Sequence, residues 1–177
     1  MPATGTQLLT LRSCRILLWA PLVLVLDQWT KYIVVQHLPR NMPQPVLGNY
    51  LRLTYIHNSG AAFGFDLGSG LVHTVVAIAA LGILGWVFIS LRSSSRLQRT
   101  ALAMVLGGAL GNIVDRLRMG EVVDFVDVGV SAAWRWPVFN VADSFITVGV
   151  IVLALSYARD RETPTDEAPD ISPSTTP

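Results

Sequence analysis

Residues Gly107 to Ser144 read GGALGNIVDRLRMGEVVDFVDVGVSAAWRWPVFNVADS, a stretch in which acids stand beside long apolar segments. Asp115 ends one apolar segment, Asp143 begins another, and Asp124 lies between them in VVDF. An ionised carboxylate at bilayer depth costs at least ~2.5 kcal/mol, so an aspartate inside or at the edge of a spanning helix predicts a functional site.

Two of these aspartates have an asparagine three residues before them. Asn112 precedes Asp115 and Asn140 precedes Asp143, so on a helix each amide shares a face with its carboxyl group. The spacing therefore predicts polar clusters rather than isolated charges.

The composition indicates an integral membrane protein. Hydrophobic residues make up 51% of the 177 residues and charged residues 14%, and the mean hydropathy is +0.49. These values are too apolar for an ordinary soluble domain. A net charge of +1 argues against nucleic acid as a partner, which would require a basic face. The length allows about four spans, and we expect one domain over residues 1–161.

The predicted fold is an all-α membrane domain of four transmembrane helices. Apolar runs of roughly the length that a bilayer requires place the spans at about residues 16–35, 71–91, 100–116 and 138–158. The first span contains Asp27, followed one turn later by Lys31. This spacing indicates either a functional acid or a structural ion pair.

Residues 37–70 predict a small β-sheet outside the membrane. Pro39, Pro43 and Pro45 break any helix, and the segment YLRLTYI from Tyr50 alternates apolar and polar residues as a strand does. Because a lone strand cannot lie exposed in lipid, the sheet is expected on the membrane surface. Residues 162–177 are rich in Pro, Thr, Ser and acids and predict a disordered tail.

Four spans place both termini on one side of the membrane. Seven of the 13 lysines and arginines flank that side, and the loop from Arg92 to Arg99 contains three arginines and no acid. The positive-inside rule makes this side cytoplasmic. The sheet and the aspartates Asp27, Asp115 and Asp143 then collect on the outer side, together with Asp124.

Several kinds of chemistry fit these acids. Two carboxylates close together in a low-dielectric site share one proton, because both cannot ionise easily. One can then act as a general base toward water and the other as a general acid, as in an aspartyl hydrolase. An ion or proton carrier, a structural polar network and a Mg²⁺ or Ca²⁺ site also fit the residue types. The residue types alone do not decide whether Asp115 or Asp124 is the partner of Asp143.

Five motifs occur in order between about Leu26 and Gly149. They are DQWTK at Asp27, NSGAAFG at Asn58, GNIVDR at Asn112 to Arg116, VVDF at Asp124 and FNVADS ending at Ser144. In this order they resemble the motifs of the bacterial lipoprotein signal peptidases (signal peptidase II), a family of four-span aspartyl proteases.

The resemblance implies an enzyme whose catalytic pair is Asp124 and Asp143, with no metal or other cofactor. The remaining polar residues of the motifs are expected to support the site or bind substrate, and they are Asp27, Asn58, Asn112, Asp115, Arg116 and Asn140. For Arg116 we expect a structural ion pair or hydrogen bond, because its planar guanidinium suits carboxylates.

The resemblance also implies the substrate and the location. The substrate would be a diacylglyceryl-modified prolipoprotein, cut just before its lipid-bearing cysteine, and globomycin-type cyclic peptides would inhibit the reaction. The enzyme would contact membrane lipids in the bacterial cytoplasmic (inner) membrane, with its active site toward the outer (periplasmic) face.

The topology can be tested with reporter fusions. A reporter after Arg161 and one in the loop from Arg92 to Arg99 should both report cytoplasm, whereas one near Asn41 should report the outer side, because the arginine loop is retained inside. A cytoplasmic signal from the Asn41 fusion would contradict the predicted orientation.

Overall fold

The computed structural model describes residue 16 and residues 18–60, 70–90 and 95–162. This part of the chain contains α1 (Trp19–His37), β1 (Gln44–Leu47), β2 (Leu51–Asn58), α2 (Gly70–Ser90), α3 (Arg96–Met119), β3 (Val122–Val128) and α4 (Val141–Glu162). The predicted tail, apart from Glu162, lies outside the described residues.

Helix α3 is the central element, since it packs against α1, α2 and α4. It begins in a capping box, in which the Ser95 hydroxyl accepts from the Gln98 backbone N–H and the Gln98 side chain accepts from that of Ser95. It ends at Gly120, whose φ of 75° suits a residue without a side chain. These caps make the helix longer than the predicted span at both ends.

The helices expose apolar side chains and bury charged ones, unlike the helices of a typical water-soluble protein. Large apolar side chains are exposed on all four helices, and those on α1, α2 and α4 include Leu22, Val25, Trp29, Val75, Ile83, Trp86, Val150, Ile151 and Leu155. Asp27 and Lys31 of α1 are instead buried. An exposed apolar surface of this kind indicates contact with lipid.

Two of the described helices are long and apolar enough to cross a membrane, Arg96–Met119 and Val141–Arg159. A shorter apolar stretch runs through Val72–Trp86 of α2. The mostly helical architecture is thus confirmed, and membrane crossing by α1 and α2 stays a prediction.

The sheet differs from the predicted one, because its third strand comes from outside residues 37–70. The strand order is β1-β2-β3, and β3 pairs antiparallel with β2, with Asn58 opposite Val122. The buried acids Asp124 and Asp127 interrupt the apolar pattern of β3, so that its sequence does not show the alternation typical of a strand.

A small apolar core attaches this sheet to the end of α1. Its buried members are Val34 of α1, Tyr55 of β2, and Val123 and Phe125 of β3. The two strands that bear Asn58 and Asp124 are therefore fixed to the helical part of the molecule.

The segment before α4 runs along β3. The backbone N–H groups of Phe125 and Val126 both donate to the Phe139 oxygen, at 3.1 and 2.7 Å, and the Phe139 N–H returns a bond to Val126. The sheet register shifts between Leu53 and Ile56, close to this point. The helix consequently begins at Val141 rather than at the predicted residue 138, and its first turn lies beside β3.

Gly111 tests how closely α1 and α3 must approach. A Cβ atom at this position would collide with the Asp27 carboxylate, whereas Gly85 of α2 has open space around it. Gly111→Ala should lower the free energy of unfolding by about 1–3 kcal/mol through overpacking. Gly85→Ala, the matched control, should be neutral or stabilising by up to ~1 kcal/mol. Thermal unfolding in the same detergent checks both, and equal effects would contradict the close approach.

Candidate active site

Asp124 and Asp143 line one cleft of about 520 Å³, a volume typical of ligand sites. Asp124 comes from β3 and is 1% exposed, and Asp143 comes from the first turn of α4. The polar lining also includes Asn58, Asn112, Arg116 and Ser144. The apolar wall comprises Trp136, Pro137, Val138, Phe139, Ile146 and Val148.

The Asp124 carboxyl group is buried but well provided with donors. Asn58 Nδ2 donates to its Oδ2 at 2.9 Å, and Asn140 Nδ2 donates to its Oδ1 at 2.7 Å. Burial raises the pKa of Asp124 to about 6, and the charge of Asp143 adds to the rise. The two asparagine bonds and the charge of Lys31 act in the opposite direction. Asp124 therefore holds a proton more readily than an exposed aspartate.

Asp143 belongs to the N-terminal cap of α4. The Asn140 side-chain oxygen accepts from the Asp143 backbone N–H at 2.8 Å, and the Asp143 Oδ2 accepts from the Asn140 backbone N–H at 3.2 Å. This reciprocal arrangement fixes the side chain at the N-terminus of α4.

Two asparagines join the carboxyl groups. Asn140 donates through Nδ2 to both Asp124 and Asn112, and Asn112 donates through its own Nδ2 to Asp143 Oδ1 at 2.8 Å. Asn140 is wholly buried. Asp124 and Asp143 thus belong to one hydrogen-bond network that opens into the cleft.

A second group of acids lies behind this network. Lys31 Nζ is 2.9 Å from Asp27 Oδ2 and 2.7 Å from Asp115 Oδ2, and all three side chains are almost fully buried. We call Asp27, Lys31 and Asp115 the buried ion cluster. Asp27 also accepts from the Ala142 N–H at 2.9 Å, and Asp115 from the Val123 N–H at 3.2 Å. The cluster therefore holds α1, α3, β3 and α4 together.

The predicted site residues divide between these two groups. Asn58, Asn112 and Arg116 line the cleft and Asn140 joins its two aspartates, whereas Asp27 and Asp115 lie in the buried ion cluster. In the described part of the chain, no group of three or more His, Cys, Asp or Glu side chains is placed to hold a metal ion.

Arg116 forms a hydrogen bond, one of the two kinds of contact expected for it. The partner of Asp115 is Lys31, and Arg116 donates to the Asn112 backbone oxygen at 3.4 Å within its own helix. Its guanidinium lines the cleft, close enough to interact with the charges of Asp143 and Asp124. Because adjacent residues on a helix point about 100° apart, Asp115 and Arg116 contact different neighbours.

Sequence reasoning missed one contact of the buried ion cluster, between Lys31 and Asp115, and one residue beside it, Gln28. It paired Lys31 with Asp27 alone, and it did not single out Gln28, whose Nε2 donates to Asp115 Oδ1 at 2.9 Å and to Asp27 Oδ2 at 3.2 Å. Gln28 and Lys31 both lie in the DQWTK motif, and their closeness to Asp27 in the sequence was the signal that could have indicated these contacts.

The model of the family described as signal peptidase (SPase) II matches residues 19–159 of the chain, a range that includes every residue of the cleft and the buried ion cluster. The chain belongs to the signal peptidase II family. It is therefore a protease, and membership supports the removal of signal peptides from prolipoproteins.

Relatives and solved structures agree with this assignment. The lipoprotein signal peptidase of Syntrophus aciditrophicus is 44% identical over 82% of this chain and 93% of its own length. That of Geobacter sulfurreducens is 43% identical over 77% and 87%. A bacterial membrane enzyme solved by the in meso method at 2.3 Å is 31% identical, covers 88% of this chain and 94% of its own, and superposes with a TM-score of 0.76. A second such enzyme, solved at 1.9 Å, is 33% identical with a TM-score of 0.72, covering 83% and 94%.

The raised pKa of Asp124 predicts a pH-dependent stability. Its pKa is about 6 in the fold against a usual 3.8, so its protonation favours the fold at pH below 3.8 and that contribution is lost as the pH rises through 6. Asp124→Asn lacks this titration. The stability of Asp124→Asn relative to the unaltered protein should therefore rise between pH 4 and pH 8, by at most roughly 3 kcal/mol. Thermal unfolding across this range checks the trend, and a constant difference would contradict the buried, proton-holding carboxyl group.

Proposed function

We propose that the chain is a membrane-embedded aspartyl endopeptidase that removes the signal peptide from diacylglyceryl-modified prolipoproteins by cutting before the lipidated cysteine. The observation that supports this proposal most is the hydrogen-bond network that joins Asp124 and Asp143. It lies at the wall of a cleft with both polar and apolar lining residues. Two linked carboxyl groups with unequal surroundings suit acid–base catalysis.

In the proposed mechanism the pair shares one proton, which Asp124 holds. Asp143, at the N-terminus of α4, takes a proton from a water molecule, and the hydroxide attacks the scissile carbonyl carbon while Asp124 donates its proton to the carbonyl oxygen. When the carbonyl re-forms, Asp124 recovers that proton and Asp143 passes its own to the leaving amine. Both groups return to their starting states.

The remaining lining suggests how substrate is held. Arg116 and Asn58 lie beside the two aspartates and are placed to contact the peptide near the scissile bond. The apolar wall that includes Trp136, Ile146 and Val148 suits the signal peptide or the acyl chains of the substrate. A globomycin-type cyclic peptide would bind in the same cleft and exclude the substrate.

The proposed setting is a single domain over residues 1–161 that crosses the bacterial inner membrane four times. The apolar exposed surfaces of α1 and α2 support crossing by these helices as well as by α3 and α4. With both termini in the cytoplasm, the end of α3, the start of α4 and the sheet lie together at the periplasmic face. A lipid-anchored substrate presents its scissile bond at that depth.

Substitutions of the acids test the pair. Asp124→Asn and Asp143→Asn should each lower single-turnover cleavage of a lipidated prolipoprotein by about 10²–10⁴-fold per folded molecule, because Asn cannot exchange the proton. The double variant should be little worse than either, since the two act as one unit. Activity should survive a chelator.

Two other aspartates are the controls. Asp127 lies on the same strand and is buried, but it pairs with Arg135 and Thr54 away from the cleft, so Asp127→Asn should keep its turnover. Asp115→Asn should act chiefly through stability. Near-normal turnover for Asp124→Asn with loss for Asp115→Asn would make Asp115 the partner of Asp143. Proton flux through vesicles without cleavage would favour a carrier instead.

A further inference from the structure

Lys31 uses its full hydrogen-bonding capacity in the interior. A lysine ammonium has three donors and no acceptor. Its Nζ contacts Asp27 Oδ2 at 2.9 Å and Asp115 Oδ2 at 2.7 Å, and it donates to Asn112 Oδ1 at 3.0 Å. The third contact links the buried ion cluster to the network that joins the two aspartates of the cleft.

The Asn112 amide has only one favourable orientation. Its Oδ1 accepts from Lys31 and from Asn140 Nδ2 at 3.0 Å, while its Nδ2 donates to Asp143 Oδ1 at 2.8 Å. After a half-turn of the amide, its NH₂ group would face two donors and its oxygen would face a carboxylate. The Lys31 ammonium, which cannot accept, therefore opposes the turned state strongly.

We propose that Lys31 is a positioning residue for catalysis: it holds the Asn112 side-chain oxygen so that the amide N–H points at Asp143. This inference rests on the proposed function, since it takes Asp143 to be catalytic. Without Lys31, the orientation of Asn112 would depend on Asn140, whose Nδ2 is already shared with Asp124 and the Val123 oxygen.

A purely structural role for Lys31 can be separated from this one by means of Gln28. Gln28 Nε2 donates to both acids of the buried ion cluster and to the Gly111 backbone oxygen at 3.2 Å. Gln28→Leu therefore weakens the support of the same carboxylates while the bond from Lys31 to Asn112 remains. It is the matched control for loss of the ammonium.

The test uses an Asp115→Asn background, in which Lys31→Met returns the cluster to the net charge that it has in the unaltered protein. Removal of the ammonium alone would leave two buried carboxylates uncompensated, so Lys31→Met is combined with Asp115→Asn, which removes one cation and one anion together. Four proteins are compared. All carry Asp115→Asn; one carries no other change, one adds Lys31→Met, one adds Asn112→Ala, and one adds both. The measurement is single-turnover cleavage of a diacylglyceryl prolipoprotein in proteoliposomes, per folded molecule.

If Lys31 acts through Asn112, its loss matters only while Asn112 is present. Lys31→Met should lower turnover by about 10–100-fold relative to Asp115→Asn, but by less than about threefold when Asn112→Ala is already present. Gln28→Leu in the same background should lower the melting temperature and keep turnover within about threefold. Rates that fall by the same factor with and without Asn112, or that do not fall, overturn the proposal.

Three further outcomes are decisive. If Lys31→Met with Asp115→Asn yields no folded protein, the comparison is repeated with Asp27→Asn as the charge-matched partner, and failure to fold there too makes Lys31 a folding residue and overturns the positioning role. If Asp143→Asn cleaves normally, the proposed function itself is wrong. If Asp143→Asn is inactive while Lys31→Met keeps the rate of its background, only the inference about Lys31 fails.

Discussion

The rest of the structure depends on one interaction, the contact of the Lys31 ammonium with the carboxylates of Asp27 and Asp115. An uncompensated charge in such a buried position would cost on the order of 3–5 kcal/mol when one partner is removed. The same two carboxylates also accept hydrogen bonds from backbone N–H groups at the start of α4 and in β3, so the interaction connects these elements as well. In the proposed membrane setting lipid offers no hydrophobic drive for helices to associate, so polar contacts of this kind, together with close packing, would hold α1 against its neighbours.

Close packing of α3 against its neighbours makes the contact between Lys31 and the two carboxylates possible, and it leaves no space for larger side chains where backbones meet. Gly108 approaches the Ala142 backbone so closely that a Cβ would lie 2.6 Å from its oxygen, which brings α3 against the first turn of α4. The amides of Asn112 and Asn140 then fill the space between the helices and β3. The buried side chains of Asp27, Lys31, Asn112, Asp115 and Asn140 all have hydrogen-bond or ion-pair partners. The two aspartates of the cleft are therefore supported by a connected polar network, one on a strand and the other on a helix.

The sequence predicts the composition of the site better than its arrangement. The Asp27–Lys31 pair follows from helical spacing, and the helices follow from apolar runs of the length that a bilayer requires. The choice of Asp124 over Asp115 came from the family motifs. The structure supports this proposal, since Asp115 turns inward to Lys31 while Asp124 lines the cleft. The direction of the Asp115 side chain depends on the packing of α3 against α1. The contacting residues of these two helices lie more than eighty positions apart, and the periodicity within one segment does not predict such contacts.

The third strand was hidden for a similar physical reason. A strand is recognised by alternation between a buried apolar face and an exposed polar one, but β3 places acids at buried positions because they have partners there. Asp127 pairs with Arg135 and Thr54, and Asp124 with two asparagines. The same partners that make these acids tolerable in the interior remove the pattern by which the strand would have been predicted.

The wall of the cleft formed by α4 has a consequence for how the reaction would be measured. Ile146, Thr147 and Val148 line the cleft, and Val150 and Ile151, which follow on the same helix, are exposed apolar side chains. The α4 wall of the cleft thus adjoins an apolar surface that lipid would cover in the proposed setting. A substrate anchored in the same bilayer would arrive by lateral diffusion in two dimensions. Its encounter rate would then depend on its mole fraction among the lipids, so added lipid would slow cleavage at a fixed bulk concentration of enzyme and substrate.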